Sequence, residues 1–274
     1  MLVAGFLFGC MGVFVKLGAH YFSDVELVFY RSFIGLLLVY ALLHQQKGTI
    51  LTTHWRGHLW RGISGSIALM LYFYCITVLP LATAVMLNYT SPLFLTLLIM
   101  AIFKERLHAP LAFAITLGFV GVVLLLRPTL EHNQIIPGLL GLISGFLAGI
   151  AMLNVRQLGL RGEPEYRVVF YFSLIAALIS GIAMLFGTLH TINLASLLIL
   201  LGLGSSATLA QLAMTRAYRT GKTLVAGSLS YSTVVFASLF GIMLWDESLS
   251  VSGWLGMALV IASGVLSLKL SSKF

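Results

Sequence analysis

The chain has 274 residues, of which 59% are hydrophobic and only 9% charged, with a formal net charge of +8. Soluble domains carry roughly 25% charged residues, so one soluble core cannot hide this much apolar surface, and lipid is the solvent for most of the chain. The two cysteines, Cys10 and Cys75, lie in apolar segments, which leaves no disulfide framework or metal-ligand spacing.

Ten apolar stretches approach the length of about 20 residues that crosses a bilayer. In chain order they cover residues 2–19, 26–43, 60–79, 82–103, 110–127, 137–157, 167–187, 195–217, 223–244 and 251–269. Backbone exposed to lipid must satisfy its own hydrogen bonds, so each stretch is expected to be a helix. The first follows directly on Met1 and passes a Leu-Phe-Gly-Cys string ending at Cys10. That string loosely resembles a lipoprotein cleavage site, but the basic segment such a signal needs is missing. Residues 1–20 therefore read as a retained helix, with a few native residues expected before Met1. The longest connection, Leu43–Leu59, holds His44, Lys47, His54, Arg56 and His58, and no soluble domain interrupts the spans.

With the N-terminus in the cytoplasm, thirteen Lys and Arg fall on the cytoplasmic side and only Arg127 on the other. The cytoplasmic set includes Lys47, Arg56, Arg61, Lys104, Arg106, Arg161 and Arg219. This is a positive-inside pattern, and it places both termini in the cytoplasm of a multi-pass inner-membrane protein. It also explains the positive charge without a nucleic-acid partner, because short basic loops face anionic lipid headgroups.

The fourth span, within Pro80–Leu107, has a polar centre at Asn88, Tyr89, Thr90, Ser91 and Pro92. Pro92 removes the helical hydrogen bond to residue 88 and is expected to bend the helix there. The pattern returns about 142 residues later in Lys222–Leu249, where Ser230 falls on Asn88, Tyr231 on Tyr89 and Thr233 on Ser91. Val28–Gly35 matches Val169–Ala176 at an offset of 141, and Gly121-Val122 matches Gly264-Val265 at 143. One drifting offset in three places predicts a duplicated five-helix unit, residues 1–129 and 130–274. Because five is odd, the second unit enters the membrane inverted. Inverted repeats place substrate sites near the midplane, where the units meet.

In these features the chain resembles the EamA-type branch of the drug/metabolite transporter superfamily. The residues that carry the likeness are Glu26–Arg31 with Gly35, the Pro80–Pro92 stretch, the exit Lys104-Glu105-Arg106-Leu107, and Gly118–Gly121 followed by Arg127-Pro128. Ala217–Tyr231 and Glu247–Gly264 repeat them in the second half. The likeness spans nearly the whole chain. It implies an all-α membrane protein of ten helices around a central cavity, working by alternating access and needing no cofactor. Substrates in the family include amino acids, nucleotide sugars, sugar phosphates and S-adenosylmethionine. One departure is that Phe172 stands where the first copy has Arg31, so the cavity is expected to be asymmetric.

Lys16 and Arg31 are the two bases inside spans, while all eight carboxylates fall in loops or at helix ends. An intramembrane charge usually marks function, although either side chain has the length to snorkel outward. Both are expected in the outer half of the membrane, where they can face each other and favour a substrate bearing a carboxylate or phosphate. Asn88, Tyr89 and Ser91 in the first copy and Ser228, Ser230 and Tyr231 in the second are the next candidates for substrate contact, with Gln211, Tyr72 and Tyr74 as further lining groups. Their structural alternative is hydrogen bonding between helices. Glu105 and Glu247 end their helices and read as caps or ion-pair partners. Gly141, Gly145 and Gly149, and Gly5 with Gly9, read as faces for close helix approach. The histidines lie near span ends or in loops, and none is assigned to a metal. A secondary carrier for a small polar metabolite fits best, with an amino acid or related carboxylate ahead of S-adenosylmethionine or a nucleotide-type compound. A polytopic membrane enzyme or lipid-handling protein would require clustered acids, bases or a nucleophile at one membrane face, and none appears.

Overall fold

The computed structural model describes residues 1–79, 81–103, 109–126, 134–246 and 250–271. The expected exit Lys104–Leu107, with Glu105, and also Arg127 and Glu247, lie outside the described residues. The described chain is helical, with twelve helices and no strands. They are α1 (Leu2–Gly18), α2 (Asp24–Gln45), α3 (Trp55–Val78), α4 (Leu81–Asn88), α5 (Ser91–Phe103) and α6 (Ala109–Leu126) in the first half. The second half holds α7 (Ile135–Leu160), α8 (Glu165–Met184), α9 (Leu194–Thr220), α10 (Thr223–Ser230), α11 (Ser232–Trp245) and α12 (Val251–Ser271).

Seven helical stretches are long and apolar enough to cross a membrane, and two shorter apolar helices, Leu2–Gly18 and Ala112–Leu124, accompany them. Large apolar side chains such as Leu97, Phe113, Leu139, Leu178, Leu198 and Ile261 are exposed, a surface that is stable in lipid.

The fourth and ninth expected spans are not continuous. Each is two helices, α4 with α5 and α10 with α11, interrupted at the polar patch read from the sequence. The main packing partners are α6 with α12 and α3 with α7, then α2 with α8 and α1 with α9. Also in contact are α1 with α11 and α5 with α7, and α2 with α9 and α3 with α8.

The small residues read as packing faces seat these breaks. Gly145 of α7 faces Thr90 Oγ1, and a Cβ there would lie 2.6 Å from the Leu87 carbonyl oxygen. At Gly149 a Cβ would lie 3.1–3.2 Å from Phe94 Cβ, Leu95 N and the Ser91 carbonyl oxygen. On α1, Gly5 meets Ser232 and Thr233, and Gly9 meets Phe236 and Ala237. Thus α7 supports the first interrupted helix and α1 the second.

Candidate functional site

The first break has a covalent cause. Pro92 has no N–H, so the Asn88 carbonyl cannot receive the usual helical bond. The Thr90 hydroxyl donates to the Leu87 carbonyl at 2.6 Å, and the Thr96 hydroxyl to the Pro92 carbonyl at 2.8 Å. The second break has no proline. There the Ser230 hydroxyl donates to the Gly227 carbonyl at 2.6 Å, and Tyr231 N reaches the Ser228 carbonyl at 3.4 Å. Serine hydroxyls that bond their own backbone compete with the helix in this way.

The two breaks meet. The rings of Tyr89 and Tyr231 are 6.3 Å apart and tilted by 43°. A Cβ on Gly227 would lie 3.5 Å from Pro92 Cβ and 3.9 Å from Tyr218 Oη. Thr233 lies beside Tyr89. Tyr72 and Tyr218 are close enough to Tyr89 to interact with it electrostatically, as Tyr218 is to Tyr231. Four phenols from the two halves therefore gather around the breaks. Tyr231 is 0% exposed and packs against Gly118, and its hydroxyl has no hydrogen-bond partner among the described residues.

Other candidates are tied into helix packing. Asn88 Nδ2 donates to Ser144 Oγ at 3.0 Å, and Ser144 Oγ to the Ala68 carbonyl at 2.8 Å. Ser228 Oγ pairs with Ser263 Oγ at 2.8 Å, and Ser263 donates to the Ala114 carbonyl at 2.7 Å. Ser91 is half-buried beside Gly149. Tyr74 is largely exposed.

A second polar group lies where α2, α3, α8 and α9 converge. Arg31 and Arg61 are 4% and 3% exposed. Their guanidinium carbons sit 5.9 Å and 4.2 Å from the centroid of the Phe172 ring. Arg61 donates to Gln211 Oε1 at 3.4 Å. Nε of each arginine and the Ser32 hydroxyl have no partner among the described residues. Among the described residues neither guanidinium is in an ion pair. Arg31, Ser32, Phe172, Ser173, Thr208 and Gln211 border a small cavity of about 10 Å³, room for a single water. Lys16 does not line it. Its ammonium sits 4.0 Å from the centroid of the Trp245 ring, at the end of α11.

Two acidic clusters fasten connections at the helix ends. Glu26, 0% exposed, accepts from the Ser23 backbone N–H and hydroxyl in a capping box. It also accepts from the His190 backbone N–H at 2.8 Å and contacts His190 Nδ1 at 2.7 Å. Glu163, 3% exposed, lies between α7 and α8 and meets Thr52, His54, His58 and Arg167. Burial alone would raise its carboxyl, but hydrogen bonds from Thr52, Arg167 and His54, with the Arg167 charge, outweigh that and hold it at about 2. Glu165 pairs with Arg219.

The model of the EamA-like transporter family matches residues 1–127 and 136–269. The chain belongs to this family. An uncharacterized transporter of Helicobacter pylori is 30% identical over 275 residues, covering 97% of this chain and 92% of its own. The pseudopaline exporter CntI of Pseudomonas aeruginosa is 29% identical, covering 97% and 94%. A riboflavin transporter of Brucella anthropi is 24% identical, covering 91% and 89%. A solved crystal structure superposes with a TM-score of 0.86 over 99% of this chain and 96% of that one, at 20% identity, and so shares the fold. An EamA-like chain with these apolar helices is a multi-pass membrane protein.

Arg61 is the EamA-like chain's missed site residue. The sequence reading counts it with the cytoplasmic bases because the third span is expected to begin at residue 60. The helix begins at Trp55, which carries Arg61 more than a turn inside. The available signal was the run Gly62, Ser64, Gly65 and Ser66 directly after it. Gly65 faces the Arg61 head, so small residues make room for the guanidinium.

Proposed function

We propose that this protein is a secondary transporter that moves a small polar metabolite bearing carboxylate or phosphate groups across the inner membrane by alternating access. The observation that carries this reading is the meeting of two interrupted helices, through Tyr89 and Tyr231, at their polar middles. Helices broken at membrane depth are tolerated where they line a pathway. In this reading ten spans form two inverted five-helix units, residues 1–129 and 130–274, with both termini in the cytoplasm.

Support for the duplication comes from the packing. Exchanging the units turns α1–α9 into α7–α3, α1–α11 into α7–α5, and α2–α9 into α8–α3, and each of these pairs is in contact. The substrate-contacting set is proposed as Arg31, Asn88, Tyr89, Ser91, Gln211, Ser230, Tyr231 and Tyr72, with Lys16 peripheral. The names of relatives, a pseudopaline exporter, a riboflavin transporter and S-adenosylmethionine uptake transporters of Rickettsia, support a metabolite as cargo. S-adenosylmethionine offers one carboxylate but carries a sulfonium and an ammonium as well, and its net positive charge is repelled by two buried arginines, so it is the weaker alternative.

The test is uptake and counterflow of radiolabelled carboxylates, phosphate esters, nucleotides and S-adenosylmethionine in proteoliposomes containing the purified chain. Accumulation of an unmodified compound, dependent on protein, supports the reading. Chemical conversion of the compound without movement refutes it.

A further inference from the structure

We propose that Arg31 and Arg61, both gathered at the ring of Phe172, form a two-point site for a small organic dianion. The inference rests on the transporter reading above and names its substrate class.

The argument begins with charge. Two guanidinium groups lie buried with no acid paired to either among the described residues. Leaving a buried ion uncompensated costs several kcal/mol, and two like charges add repulsion. A monoanion would relieve one of them. A dianion relieves both.

Geometry supports the same ligand. With Arg61 4.2 Å and Arg31 5.9 Å from one ring centroid, the two heads are at most about 10 Å apart. A chain of four to six carbons with a carboxylate at each end can reach across heads up to that far apart, in a conformation wider than this one, whose cavity is about 10 Å³. A phosphate monoester, with both charges on one group, would sit between the heads. Arginine forks bind either group through paired hydrogen bonds. The remaining polar groups agree, because Nε of both arginines and the Ser32 hydroxyl are unpartnered and buried. Gln211 Oε1 accepts from Arg61. The hydroxyls of Ser32, Ser173 and Thr208 can donate or accept, whereas both charged groups are positive, which disfavours a cation. The phenyl ring of Phe172 holds the guanidinium groups through its face while leaving their N–H edges available.

The glycines keep this space open. A Cβ at Gly35 would lie 2.9 Å from Thr208 Oγ1 and 3.3 Å from Ser173 Oγ. A Cβ at Gly65 would collide with the Arg61 head and lie 3.1 Å from the Phe172 ring.

The experiment measures ligand-induced thermal stabilisation of the purified full chain at constant ionic strength. The probes are succinate, adipate, glycerol 3-phosphate, acetate and putrescine. We expect at least one dianion to stabilise the protein and acetate and putrescine to have little effect, and the two kinds of dianion decide between dicarboxylate and phosphate ester. Arg31→Met and Arg61→Met keep apolar volume, and replacing a buried charge in this way tends to be neutral or stabilising. Each should leave the ligand-free melting temperature unchanged or raised, and weaken dianion binding about tenfold to 100-fold. Equal stabilisation by acetate and succinate, or variants that keep the dianion response, overturns the proposal. Variants that unfold without ligand while Arg31→Lys and Arg61→Lys respond like the parent also overturn it, since the arginines are then structural. Counterflow separates the two readings: dianions that bind through the arginines but do not cross refute transport and leave the site standing, whereas dianions that cross unimpaired in both methionine variants refute the site alone.

Discussion

Replacing Gly145 by alanine puts one methyl group where α7 supports the first interrupted helix. The added Cβ would stand 2.6 Å from the Leu87 carbonyl oxygen and 3.5 Å from that of Asn88, and would meet Thr90 Oγ1 as well. A hydroxyl can rotate away, but the Leu87 carbonyl belongs to the last turn of α4 and cannot yield without moving the break. Overpacking of this kind costs about 1–3 kcal/mol, set against a gain of up to about 1 kcal/mol from replacing glycine in a helix. The expected net loss is about 1–2 kcal/mol. Two further glycines make the comparison internal. At Gly149 the neighbours stand at 3.1–3.2 Å, so a shift of a few tenths of an ångström suffices and the change should be nearly neutral. At Gly12 nothing lies within 4 Å, so alanine should be neutral or stabilising. Thermal unfolding in detergent should rank Gly12→Ala at or above the parent, Gly149→Ala near it and Gly145→Ala below it. Transport should fall in the same order. If Gly145→Ala melts with Gly12→Ala, close packing at α7 does not hold the break, and the reasoning fails.

Glu163→Gln should cost about 1.5–3 kcal/mol by removing a charged acceptor. The parent carboxyl is held at about 2 in the folded protein against 4.5 ordinarily, so its contribution is complete above pH 4.5 and is lost as pH falls towards 2. As pH is lowered from 4.5 towards 2, the melting temperature should fall more steeply in the parent than in the variant, and parallel curves would contradict this. Glu26→Gln weakens the acceptor that holds His190, so hydrogen exchange should rise in residues 186–193 between α8 and α9, and unchanged protection would show that other contacts hold that connection. Lys16→Ala removes a cation–π contact worth about 0.5–2 kcal/mol and should lower stability while sparing transport. Arg31→Ala should impair uptake far more than Lys16→Ala at equal amounts of folded protein, with Arg31→Lys a partial rescue. Equal uptake by Arg31→Ala and the parent would make Arg31 structural.

Hydropathy made the helical spans legible because each needs about 20 apolar residues, whatever it packs against. The sites of interruption were legible for a different reason. Pro92 is a covalent instruction, and the return of Ser230-Tyr231 at the same offset marks the second copy. Sequence alone suggested a bend and not a break, because a proline can be absorbed by a kinked but continuous helix. Which polar groups face one another was not legible. Lys16 and Arg31 share an expected depth, yet depth says nothing of azimuth, and Trp245 takes the lysine. Arg61 was hidden by an uncertainty of a few residues at a helix start, which is enough to move a base from the interface to the interior.

The departure at Phe172 acquires a physical sense from the fold. Because α2 packs on α8, the position matching Arg31 in the second copy lies beside Arg31 itself. A base there would add a third positive charge to a pocket already holding two. At about 4 Å and an effective dielectric constant of 20, each like-charge contact costs on the order of 4 kcal/mol. An aromatic ring has the opposite effect, since its face attracts both cations. Under the proposed duplication, the packing and the broken helices are kept in both halves while the lining around Arg31 diverges. Backbone contacts such as those of Gly145 and Gly5 constrain volume in each half, and they place no demand on charge. On the proposed reading, chemical selectivity would be set by the few side chains in which the halves differ, Arg31 against Phe172 first among them.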